Sequence, residues 1–261
     1  METIPIIILN LGVVTAMMVV GWLISVKVDN VTHVDTLWGL GFVLIAWTAY
    51  ALGFEKTPRG LLLVLLTTLW GVRLSLHLSW RNWGKGEDPR YGSWRRKYGD
   101  NFPKRSLYSV FLVQALFLWA IAGSLQYGIL AGKPYGFTGW DLIGIVVWCT
   151  GFVFESVGDF QLARFKANPD NKGRVMDQGL WAYTRHPNYF GETLIWWGIY
   201  LMVISTPGGI WTVFSPLIIT IVLLKLTGVT LTEKSIVEKR PHYRDYIERT
   251  SMFLPWFPKK S

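Results

Sequence analysis

Seven long apolar runs restrict this chain to a narrow set of folds. They cover roughly Ile4–Val26, Thr36–Phe54, Gly60–Trp80, Leu107–Ala131, Gly139–Phe160, Tyr189–Ser205 and Ile210–Gly228. The longest reach the ~20 residues that a helix needs to cross a bilayer. In hydrocarbon every backbone N–H and C=O needs an internal partner, so runs of this length are expected to be helical. The expected fold is all-α, a polytopic membrane protein with seven transmembrane helices in a single membrane domain over residues 1–261. Charged residues make up only 16% of the chain, where a soluble domain carries roughly 25%, and a water-soluble protein is excluded. The first run is read as a retained helix rather than a signal peptide, because it lacks a basic leader and a clear small-residue cleavage site. The single Cys149 excludes an internal disulfide framework and a Cys-based zinc site.

The cations set the orientation. The loop Arg81–Ser106 carries eight Lys and Arg, the loop Gln161–Asn188 carries five, and eight more follow from Lys225 onward. With seven spans, these segments and Lys27 fall on one side, while Lys56, Arg59 and Lys133 fall on the other. The positive-inside rule then places the N-terminus outside and the C-terminus in the cytoplasm. The expected location is an integral, multi-pass membrane protein, in the cytoplasmic membrane if the source is bacterial. The net charge of +9 has two open readings: topology with anionic-lipid contact alone, or an additional anionic cofactor on the cytoplasmic face. Neither calls for nucleic acid, and no obligate protein partner is expected.

Ionisable residues within spans are expensive and therefore point to function. Asp35 opens the second run. Arg73 and His77 share a face of the third, and Glu155 and Asp159 share a face of the fifth. Glu192 lies near the start of the sixth. These groups imply either interhelical ion pairs or a pocket open to the cytoplasm. Several chemistries are excluded. The four His residues (His33, His77, His186 and His242) form no paired ligand motif, so no metal site is expected. No GxGxxG follows a strand, and neither a phosphate-binding GxxxxGK[ST] loop nor a GxSxG elbow is present.

The richest stretch runs from Gly179 to Glu192 and contains Arg185-His186-Pro187-Asn188-Tyr189-Phe190-Gly191-Glu192. It combines cations for phosphate, Asn and Glu for an amide or ribose, and Tyr for stacking. A site for a polar, anionic, ring-bearing ligand needs that mixture. On these residues the chain resembles the steroid 5α-reductase family, in particular its bacterial branch. The resemblance is strong over residues 140–258 and extends to 30–105, where Trp80–Tyr91 carries it. It implies a seven-helix enzyme that reduces an activated C=C bond of a steroid-like or other lipid enone with NADPH, with a lipophilic small-molecule substrate and membrane lipids as its partners. It further implies a substrate half at 30–105 and a cofactor half at 140–258. By the same resemblance, cofactor binding falls to Asn188, Tyr189, Glu192, Asp159, Lys166, Arg174, Arg185, His186 and Glu233, with Asn82, Lys85, Arg90 and Tyr91 from the earlier polar segment. The family polarises its substrate ketone with an acid on the second helix and a tyrosine on the third. Asp35 matches the acid, and Trp70 occupies the tyrosine position.

Two other classes stay open. The Arg185-His186-Pro187-Asn188-Tyr189 core and the tail, with Glu233 and Glu238 before Tyr243 and Tyr246, are similar to membrane isoprenylcysteine carboxyl methyltransferases, which use S-adenosylmethionine. A non-enzymatic transporter or scaffold is the third class.

Overall fold

A computed structural model describes residues 3–226, 233 and 243–259. Among these, every regular element is helical and none is a strand. The helices are α1 (Thr3–Lys27), α2 (His33–Leu52), α3 (Pro58–Asn82), α4 (Pro89–Tyr98), α5 (Phe102–Ser106), α6 (Val113–Ile121), α7 (Gly123–Leu130), α8 (Gly139–Ala167), α9 (Leu180–Tyr183), α10 (Pro187–Val203), α11 (Phe214–Ile221) and α12 (Tyr243–Arg249). Five helical stretches are long and apolar enough to cross a membrane: Thr3–Lys27, His33–Leu52, Pro58–Asn82, Pro89–Ile121 and Gly139–Ala167. The chain is thus an integral, multi-pass membrane protein, and its embedded helices contact lipid. The sixth apolar run forms α10, 17 residues long. The seventh forms the shorter apolar stretch Gly209–Lys225; Gly228, its expected last residue, lies outside the described residues.

Two segments differ from the sequence expectation. The basic segment Arg81–Ser106 is largely helical rather than a loop, because Asp88 caps α4 by accepting from Arg90 N and Pro89 fills the first helical position. The run Leu107–Ala131 is not one regular helix. It begins in π geometry at Leu107–Leu112 and breaks at Ala122, between α6 and α7. The break persists because side chains take up groups at it. Gln126 Nε2 donates to Trp119 O at 3.3 Å, and Ser124 Oγ donates to Thr212 O at 2.9 Å.

The chain divides into two compact units, residues 1–138 with 203–212, and residues 139–202 with 213–261. In the first unit α2 and α3 touch through backbone. A Cβ on Gly39 would lie 2.3 Å from Gly71 O, so neither position tolerates a side chain. Phe42, Ile45, Leu63, Trp70 and Leu118 fill the surrounding core. Within it Asn10 donates to Gln126 Oε1 at 2.9 Å and Trp119 Nε1 to Ile7 O at 2.7 Å, which ties α1 to α6 and α7. At the start of α3, Thr57 caps the helix, and buried Arg59 donates to the carbonyls of Pro134 and Gly136. In the second unit α8 and α10 pack in the same glycine-mediated way. A Cβ on Gly151 would lie 2.5 Å from Gly191 O, and one on Gly144 2.7 Å from Gly198 O. Small residues at such contacts let helices approach where lipid offers no hydrophobic drive to associate.

Candidate functional sites

The first unit gathers its polar groups where α2 begins. Asp35 stands in the first turn of α2, and the residue at the cap is Thr32. Tyr91 of α4 is buried, and its hydroxyl donates to Asp35 Oδ1 over a long 3.5 Å. Two guanidiniums flank the same carboxylate, Arg81 Nη2 at 3.8 Å and Arg90 Nη2 at 4.0 Å from Oδ2. Arg90 also pairs with Asp88 through two hydrogen bonds of 3.0 and 3.2 Å.

The segment that presents Tyr91 is fastened down. Glu87 accepts from Val31 N at 2.9 Å and takes two 2.8 Å bonds from Arg95, which pairs in turn with Asp29. Asp88 N donates to Thr32 Oγ1 at 2.8 Å. Burial alone would raise the carboxyl pKa of Glu87 and Asp88. The Arg95 bonds on Glu87 and the Arg90 bonds on Asp88 outweigh it and hold both groups below the ordinary carboxylate range.

Trp70 is fully buried in α3, its ring 5.6 Å from that of Phe42, which also meets Trp38 edge-on. Phe42 lies two helical turns beyond Asp35 along α2. The phenol that contacts Asp35 belongs to Tyr91. Asn82 and Lys85 line a cleft of about 460 Å³ bounded by α1, α2, α3 and the turn Trp83–Gly86.

The second unit centres on the turn that precedes α10. Arg185 is buried, and the chain itself takes up its donors. Nε and Nη2 clamp both oxygens of Glu233 at 2.6 and 3.1 Å, while Nη1 reaches the carbonyls of Ile247 and Thr250. His186 Nε2 lies 3.1 Å from Glu233 Oε1, and its ring stacks on Tyr189 at 5.4 Å. Burial raises the pKa of Glu233, but the bonds from His186 and Arg185 overcome it, so the carboxyl sits below its ordinary range. The turn is clipped further by Arg185 N to Ser251 O, Trp256 N to Tyr183 O and Thr184 Oγ1 to Phe253 O. Tyr246 is buried and donates to Trp181 O at 2.5 Å; that burial pushes its phenol well above its ordinary range and keeps the donor protonated.

At the second residue of α10, Asn188 Nδ2 donates to Asp159 Oδ1 of α8 at 3.1 Å. Asn188 Oδ1 is buried with no hydrogen-bond partner among the described residues, as is Thr193 Oγ1. Glu192 is buried on the same helix. Lys166 closes α8 and Arg174 follows it; both are exposed.

The geometry therefore joins Arg185, His186, Tyr189 and Glu233 in one cluster, Asp159 and Asn188 in a pair, and Asp35, Arg90 and Tyr91 in another cluster. Arg81, counted in the sequence only among the cations, belongs with Asp35. The sequence carried no signal for that pairing, which depends on the end of α3 meeting the start of α2. Glu238 lies outside the described residues.

Comparison with known proteins gives three findings. An uncharacterized protein of Schizosaccharomyces pombe is 29% identical over 267 residues, covering 90% of this chain and 75% of that protein. A probable O-methyltransferase of Ustilaginoidea virens is 38% identical over 73 residues, covering 28% of this chain and 24% of that protein. No solved structure matches significantly. The family model of DUF1295, described as a protein of unknown function, matches residues 21–250, and the chain belongs to that family.

Proposed function

We propose that this protein is a membrane reductase that transfers a hydride from NADPH to the activated C=C bond of a steroid-like or other lipid enone. In this reading the chain crosses the membrane seven times, with its N-terminus outside and its C-terminus in the cytoplasm. The 17 residues of α10 meet the lower limit of ~17 for a spanning helix.

The observation that carries the reading is the contact of Tyr91 with Asp35 between Arg81 and Arg90. The 3.5 Å contact is long, so the single O–H of the phenol can turn from Asp35 to a ketone oxygen, and nearby guanidiniums favour the negative charge that grows there. This assigns to Tyr91 the role that the family resemblance placed at Trp70, whose indole N–H can donate a hydrogen bond but cannot relay a proton. Trp70 then shapes the core beneath the site.

The second unit's residues fit a dinucleotide. Asn188 Oδ1 is an acceptor without a partner among the described residues, oriented by the bond from its Nδ2 to Asp159. Such an acceptor suits a carboxamide or a ribose hydroxyl. Glu192 and Tyr189 belong to the same turns of α10, while Lys166 and Arg174 suit phosphate. NADPH, when bound, supplies the hydride. Asp159 and Asn188 orient the ligand, and the Arg185–His186–Glu233 cluster fixes the turn that carries them.

In detergent the purified protein is expected to bind NADPH in the micromolar range or tighter, with Glu192→Ala weakening it. Tyr91→Phe and Asp35→Asn are expected to lower turnover about 100-fold with NADPH affinity kept. Binding of S-adenosylmethionine without binding of NADPH would overturn the reading. It would favour S-adenosylmethionine-dependent methyl transfer instead, the second reading supported by the partial match to a probable O-methyltransferase.

A further inference from the structure

The cleft at the ends of α1, α2 and α3 has a chemistry of its own. Its volume is about 460 Å³, and no Asp or Glu is among its lining residues. Hydrogen-bond donors stand at its mouth. Asn82 Nδ2 is buried with no hydrogen-bond partner among the described residues, and the orientation of this amide is set by Arg81 Nε donating to Asn82 Oδ1 at 3.3 Å. Lys85 donates once, to Arg81 O, and an ammonium has two further N–H donors. Within the cleft Thr36 Oγ1 and Ser79 Oγ lie 3.2 Å apart. Ser79 gives its hydrogen to Ser75 O at 2.7 Å, so Thr36 donates to Ser79 and both oxygens keep lone pairs for a hydroxyl guest.

The wall formed by α1 is apolar. Gly21 and Ile24 line the cleft, and Ile24 lies with Val20 and Leu23 on an exposed flank of α1, the most apolar of the candidate spans among the described residues. Trp80 and Trp83 are 65% and 84% exposed beside the cleft mouth, and indoles in such positions mark the headgroup level of a bilayer. A buried donor, an ammonium, acceptor oxygens and an apolar wall meet in one cleft.

We infer that this cleft binds the phosphate and hydroxyl-bearing head of an anionic glycerophospholipid, with Asn82 and Lys85 on the phosphate and the Thr36–Ser79 pair on the head's hydroxyl. The inference takes Asn82 and Lys85 out of the dinucleotide set that the resemblance assigned them. It does not depend on the hydride-transfer reading. A soluble phosphate would offer the same anion but no use for the wall formed by Gly21 and Ile24.

Native mass spectrometry of the detergent-solubilised chain with phosphatidylglycerol or phosphatidylcholine tests this. Phosphatidylglycerol is expected to be retained at least ten-fold better. Gly86 offers a clean variant, since a Cβ there meets nothing within 4 Å. Gly86→Asp puts a carboxylate into a lining that has none and should cut retention about ten-fold, while the neutral Gly86→Asn should retain the lipid. Asn82→Leu should also lose it. Equal retention by wild type and Gly86→Asp would overturn the inference. So would displacement of the lipid from the wild-type chain by millimolar inorganic phosphate or by saturating NADPH, each of which assigns the anion to a soluble source. The displacement arm uses no variant, so it decides the matter even if a substituted chain fails to fold.

Discussion

At the scale of single residues, the chemistry here is set by pairings between groups far apart in the chain. Glu233 shows this best. Its folded pKa is depressed by His186 and Arg185, so its ionised form stabilises the fold. The sign follows from linkage: that stabilisation is fully present above the unfolded value of 4.5 and is lost as pH falls through the lower folded value. Hydrogen exchange at Arg185 and Trp256, whose amides clip the tail to the turn, should therefore stay slow at neutral pH and accelerate in acid. Glu233→Ala should accelerate it at neutral pH as well, by removing about 3 kcal/mol from a buried pair. Arg185, His186 and Glu233 were all legible in the sequence as site candidates, but their mutual pairing was not, because Glu233 lies 48 residues from Arg185. The contact of Tyr91 with Asp35 was hidden for the same reason, since they lie 56 positions apart. Composition marks which side chains are expensive to bury; only the folded chain shows which partner relieves each one.

At the scale of elements, apolar runs located the helices well. Each run contains a helix, since a long stretch without charges has few other solutions in lipid. The interruptions were less visible. Nothing in the composition of Leu107–Leu112 distinguishes π from α geometry, and the break at Ala122 rests on the distant partner Thr212 and on Gln126 reaching back to Trp119. The helical character of Pro89–Tyr98 was available in principle from Asp88-Pro89, a cap followed by a proline, but its high charge reads as a loop. Glycine positions decide how closely helices approach. Gly191→Ala would place a Cβ 2.4 Å from Glu155 N, a backbone atom that moves only if α8 and α10 separate. Thermal unfolding in detergent should show a loss of about 1–3 kcal/mol. Gly136→Ala, where a Cβ meets nothing within 4 Å, should leave the transition nearly unchanged.

For the whole molecule, the distribution of cations makes a directional prediction. Fluorescent and phosphatase reporters at the C-terminus should report the cytoplasm, and a reporter in the segment that holds Lys133 should report the outside. An external C-terminus would overturn this topology. The buried guanidinium of Arg185 adds a constraint in time. Its carbonyl partner Thr250 is synthesised 65 residues after it, so during translation the arginine is made well before that partner. The nascent chain therefore carries an unmatched cation at that turn until the tail emerges and folds back. Quality control that recognises bare charge near a bilayer has that interval in which to act, and a ribosome stalled before residue 233 would leave the cation permanently exposed to it.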